Sequence, residues 1–186
     1  MKDNPMTTSP CPPISDEHWP VEIADMKTGF AGALNVYRTM AHHPALLKAW
    51  APLRQHIVKD SALGPVWSEL VILRAAHRMG SDYEWAHHVS RARALGISDA
   101  RIQAMRGMPD REDGLIVRAV DALFDTHHLP SDLEYALSAA IGRQGVFDLI
   151  TTVGFYSVLG CLLMTYETPI DDAVAREMAE RPLPVT

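Results

Sequence analysis

The chain has 186 residues, of which 47% are hydrophobic and 22% charged, with seventeen basic and twenty-three acidic side chains giving a net charge of −6. That balance suits a folded chain with a real core, and it argues against non-specific nucleic-acid binding, because the scattered arginines make no basic patch. No apolar stretch approaches the roughly 20 residues that cross a bilayer, no basic-then-apolar leader opens the chain, and Cys11 and Cys161 form neither a CxxC pair nor a disulfide framework; the expectation is a cytoplasmic protein with no membrane partner.

The opening "MKDNPMTTSPCPPISDEHWP" holds five prolines in twenty residues, so residues 1–25 read as an extended tail ahead of an all-helical domain over 26–186. "GALNVYRTMAHH" is a short helix that must end before Pro44. Pro44 then opens "PALLKAWAPLRQHIVKD", within which Pro52 should kink the chain. Pro65 starts a helix that Gly80 stops, Ser81 caps the next, and Gly96 ends it. Ser98 caps a short helix before Gly107, and "EDGLIVRAVDALFDTHH" is amphipathic along Leu115, Ala119, Ala122 and Leu123. "SDLEYALSAAIG" carries a capping pattern in Ser131 and Glu134. "VFDLITTVGFYSVLGCLLMTY" reads as a buried helix, in which Cys161 is an ordinary packing thiol, and "DDAVAREMAE" as a short last one. No run alternates as a strand would, so the fold class is all-α.

Gly80–Ser81 leaves room only for a tight turn, which pairs 65–79 and 82–95 as an antiparallel hairpin. Val66, Leu70, Leu73 and Ala76 form the inward stripe of one helix, with Glu69 on it; Trp85, Val89, Ala92 and Leu95 form that of the other, with His88 on it. A buried carboxylate and a histidine are natural partners. Counted from the turn the two are offset by roughly one helical turn, so contact needs long side chains or a water. A structural Glu–His pair is the plainer alternative to a catalytic one. Glu84 has two readings: the second half of a capping box with Ser81, or a catalytic group one turn before His88.

Glu69, "YEW" at 83–85, His88 and Gly96 followed by "ISDARIQAM" together resemble the carboxymuconolactone decarboxylase and alkylhydroperoxidase D superfamily, with "MAHHPALLKAW" and "VGFYSVLG" extending the likeness over roughly residues 30–165. The resemblance implies an alkylhydroperoxidase D-like helical bundle that forms homo-oligomers, trimers or hexamers. The hydroperoxidase branch carries cysteines where this chain has Ser81 and Glu84, and a thiolate is what reduces peroxide there. The likeness therefore implies peroxiredoxin-like ancestry without thiol peroxidase activity. The decarboxylase branch implies a cofactor-free lyase acting on a small organic acid or lactone. His88 would be its general acid, Glu69 and Glu84 its tuning groups, and Tyr83, Trp85 and His87 its pocket lining, with no metal.

An acidic substrate needs a cation, and Arg74, Arg91 and Arg93 are near in sequence. Two rivals remain. Glu84-x-x-His87 has the spacing of one half of a di-iron site, with Asp125-x-x-His128 as an imperfect second half. A non-catalytic oligomer with a binding pocket would bury "GFYSVLGCLLM" between subunits.

Overall fold

In the computed structural model residues 9–184 are described, and among them the regular structure is helical with no strand. The helices are α1 (Phe30–Ala33), α2 (Asn35–Met40), α3 (Pro44–Gln55), α4 (Pro65–Met79), α5 (Asp82–Ala94), α6 (Asp99–Ala104), α7 (Arg111–Thr126), α8 (Ser131–Thr165) and α9 (Asp172–Glu180). The all-α expectation holds.

Pro44 and Pro65 each sit in the first turn of their helix, where no N–H is needed. Pro52 does not break α3. Both Pro52 and Lys48, whose carbonyl lacks a partner for that reason, are exposed, so water can replace the missing bond. The helix then widens into a π turn at His56–Asp60. Gly80 takes φ 69°, a left-handed stop that an L side chain resists. The Ser81 N–H then reaches back to the Ala76 carbonyl at 3.0 Å while its hydroxyl accepts the Glu84 N–H at 3.4 Å.

The two helices expected between 131 and 165 are both present, joined as α8 across a break at Gly142 (φ 71°, ψ 163°). The Ser131/Glu134 capping box does not form: Pro130 holds the cap position, and Glu134 instead accepts the Ser138 hydroxyl at 2.8 Å.

Two apolar clusters meet at α4. One joins Leu70, Leu73, Val89, Ile102, Ile116, Leu137 and Leu149; the other joins Ile23, Tyr37, Leu47, Ile72, Tyr83, Phe155 and Leu159. Because α4 packs against α5, α7 and α8, it is buried from Glu69 through Ala76 rather than along one stripe. Each fully buried leucine there contributes about 1.5–3 kcal/mol. On α7 the sealed residues are Ile116, Val117, Ala119 and Val120, with Leu115, Ala122 and Leu123 at the cluster's edge. Leu95, expected inside, is 44% exposed.

The proline-rich opening is the largest departure from expectation. Residues 1–8 lie outside the described residues, but from residue 9 the segment packs along the domain. Ile23 is fully buried. Arg38 holds this segment by donating to the Ile14 carbonyl at 2.7 Å and to Asp16 at 2.6 Å. The Ile14 N–H in turn donates to the Arg38 carbonyl at 3.2 Å. Prolines lower the entropy lost on ordering such a strap, so composition alone misjudges it.

By length and composition α8 is also apolar enough to cross a bilayer, against the reading of the sequence, yet 56% of its most apolar window is packed inside the protein, as a core helix is. Its outer face leaves Phe147, Ile150, Val158 and Met164 exposed at helical spacing. Cys161 lies exposed on α8 rather than packed inside.

Candidate active site

Glu69 on α4 and His88 on α5 meet directly. The imidazole Nδ1 lies 2.5 Å from a Glu69 carboxylate oxygen, so the long side chains close the expected one-turn offset without a water. The other ring nitrogen, Nε2, lies 3.4 Å from the Glu84 carboxylate. A carboxylate only accepts, so this geometry suits an imidazolium with an N–H toward each. Burial is the strongest influence on His88 and works against its charge, but the charge and hydrogen bond of Glu69, with Glu84 added, outweigh it and hold the pKa above the ordinary histidine value.

Glu84 does not complete a capping box. The Ser81 N–H it would have satisfied is already bonded to Ala76, which leaves the carboxylate free to turn toward His88. Its second oxygen is sealed from solvent and has no partner among the described residues. Such an oxygen is costly in a purely structural role.

A cleft of about 540 Å³ opens on this row, with Arg54, Lys59, Glu69, Ile72, Arg91 and Tyr156 on its wall. His88 is only 2% exposed and is not on that wall; Glu69 stands between it and the cleft. The Tyr156 ring meets the imidazole edge-to-face at 4.9 Å. Burial first, and the Glu84 charge second, raise its phenol well above the usual value, so it stays a neutral O–H donor.

The other residues expected at the site lie elsewhere. The Tyr83 hydroxyl donates to Asp171 at 2.6 Å, and His87 Nε2 lies 2.8 Å from the same carboxylate oxygen. Asp171 also accepts the Asn35 N–H at 3.1 Å, and the Tyr83 hydroxyl accepts the Val36 N–H at 3.2 Å. This clasp ties α5 to α2 and to the start of α9. Burial raises the Asp171 pKa, but the bonds from His87, Tyr83 and Asn35 outweigh it and bring it below the usual carboxylate value. Trp85 faces a separate cleft of about 460 Å³ and stacks under Arg106 at 4.2 Å. Of the three neighbouring arginines, Arg74 is spent on Asp121 and on the Met105 and Gly107 carbonyls, and Arg93 on Asp99 and Glu177. Only Arg91 of these lines the cleft. Glu84 and His87 diverge, and Asp125 pairs with Arg78, so the two expected halves of a di-iron site do not converge; among the described residues no three His, Cys, Asp or Glu side chains are grouped to hold a metal.

Arg54, Tyr156 and Asp171 were not singled out from the sequence. Arg54 carried a signal, since it follows Leu47 and Trp50 and precedes Ile57 at helical spacing, a charge on an apolar stripe just as Glu69 and His88 are.

Residues 44–122 match the family described as the carboxymuconolactone decarboxylase family. That span contains Arg54, Glu69, Glu84, His88 and Arg91. Among solved structures the chain is similar to a cysteine-to-alanine variant of the debrominase Bmp8 in complex with 2,3,4-tribromopyrrole, with 16% identity and a TM-score of 0.67 over 94% of this chain and 98% of that one. At that identity the likeness speaks for the fold. No curated protein matches the chain in sequence.

Proposed function

From the match of residues 44–122 to the carboxymuconolactone decarboxylase family we propose that the chain is a cofactor-free lyase working by acid–base chemistry on a small organic acid or lactone. The observation that carries this reading is the buried imidazole held between two carboxylates, one of which fronts a cleft.

For a substrate with a carbonyl placed to accept electrons, the bond to the departing carboxylate breaks and carbon dioxide leaves. The electron pair moves onto the carbonyl as an enolate, whose carbon then takes a proton. Glu69 is the group at the cleft that hands this proton over. His88, behind it, supplies Glu69 through the Nδ1 bond and regains its proton by the same route, through Glu69, once the product has left the cleft. Glu84 keeps the imidazolium favourable from the other side, and Tyr156 donates its O–H to the enolate oxygen. The donor facing substrate is thus Glu69, with His88 as its proton source, a refinement of the role expected for the histidine. Thiol chemistry finds no support: Ser81 and Glu84 stand where the hydroperoxidases carry cysteines, and neither Cys11 nor Cys161 is on the cleft wall.

A panel of β-keto acids and unsaturated lactones, followed by carbon dioxide release, tests the reading. Saturable turnover by the wild type and none by Glu69→Gln is expected; identical rates for the two proteins on every compound would sink it.

The same family background, with the exposed α8 stripe, supports self-assembly as a homo-oligomer through that face. Light scattering at micromolar concentration is expected to give a multiple of 20.6 kDa, and a Phe147→Lys, Val158→Lys double variant to lower it. A wild-type monomer at every concentration would refute assembly.

A further inference from the structure

We infer that Arg54 is the residue that grips a substrate carboxylate in the cleft, and so sets specificity for an organic anion over its neutral counterpart. This rests on the small-acid reading of the same cleft.

The chain as a whole carries −6, yet among the residues lining this cleft three cations, Arg54, Lys59 and Arg91, stand against one carboxylate, Glu69. Concave, low-dielectric surroundings strengthen such an excess and draw anions in.

Within that set Arg54 is the unusual member, because it is 9% exposed. Arg38, Arg74, Arg78, Arg93 and Arg101 each have a carboxylate within ion-pair distance. Among the described residues Arg54 has none. Its guanidinium carbon lies 4.1 Å from the Phe30 ring centroid and 5.4 Å from that of Tyr37, and its Nε–H donates to the Tyr37 hydroxyl at 3.2 Å. These contacts fix the plane of the fork and use one nitrogen, leaving both terminal nitrogens without an acceptor among the described residues. A buried cation held this rigidly and left uncompensated is poorly explained as a stabilising feature. A planar fork on the residue that lines a cavity suits a carboxylate in two-pronged fashion. Arg91, also on the wall and without an ion-pair partner among the described residues, adds its charge from the opposite helix, and Lys59 sits exposed.

Isothermal titration with benzoate and its uncharged methyl ester tests the assignment. Wild type is expected to bind benzoate at least about tenfold more tightly than the ester, the size of one charge-assisted pair. Arg54→Gln should erase that preference by weakening benzoate alone, and Arg54→Lys should restore part of it. His88→Gln should still prefer benzoate to the ester; turnover lost there with that preference kept separates the Arg54 assignment from the proton relay. Equal wild-type affinity for acid and ester, no benzoate binding at millimolar concentration, or an unchanged preference in folded Arg54→Gln would each overturn it. If the Arg54 variants fail to fold, equal wild-type affinity for acid and ester still overturns the assignment, and Arg91→Gln and Lys59→Gln variants that each keep the tenfold preference support it, whereas loss of the preference in either overturns it.

Discussion

Replacing His88 with glutamine is expected to lower turnover by about 10²–10⁴-fold, the contribution of a positioned proton donor, with the preference for benzoate over its methyl ester kept. The amide can still donate toward Glu69 but cannot carry a titrating proton. The wild-type pH profile should report the same group. His88 has its pKa raised by Glu69 and Glu84 against the opposing effect of burial, so activity should persist above pH 6.5 and fall as the pH climbs through that raised value. The stability sign follows: a raised folded pKa contributes stability that is complete below the unfolded histidine value of about 6.5 and is lost as pH rises through the folded one. Unfolding at pH 6 and pH 9 should therefore separate wild type from His88→Gln more at the lower pH. A variant retaining wild-type kcat would remove His88 from the chemistry and leave Glu69–His88 a structural pair.

That pair was legible in the sequence because burial and charge conflict there: a titratable group on an apolar stripe must find a partner, and the facing helix carried one. The same conflict at Arg54 was hidden by Pro52, which suggested a broken segment where α3 in fact runs on to present the guanidinium. Glu84 could not be resolved from its spacing, since the capping box and the relay place it identically. What decides it is the Ser81 N–H, which a left-handed Gly80 commits to Ala76. The polar residues of "YEWAHH" separate for a similar reason. Tyr83 and His87 are drawn off by Asp171, more than eighty positions away, and no local pattern announces a partner at that distance. The strap over residues 9–26 also depends on remote acceptors, so its prolines read as looseness until Arg38 is seen to hold it.

Asp171→Ala is expected to lower stability by about 3 kcal/mol, because it strands the Tyr83 hydroxyl, His87 Nε2 and the Asn35 N–H together. For a chain of this size that corresponds to a fall in Tm of roughly 6–12 °C. Asp171→Asn, which keeps one acceptor oxygen, should lose less. The pH dependence runs opposite to that of His88. Asp171 has its pKa lowered by its three donors in spite of burial, so its stabilisation is full above the unfolded carboxylate value, near 3.8, and disappears as pH falls through the folded one. The gap between wild type and Asp171→Ala should therefore be widest near neutrality and close in strong acid. Because the clasp is not on the cleft wall, benzoate affinity at a temperature well below unfolding should be unaffected. A Tm within 2 °C of wild type at neutral pH would mean that water satisfies these donors and that the clasp does not anchor α9, whereas a full Tm loss with benzoate binding also gone would place Tyr83 and His87 back among the groups that shape the cleft.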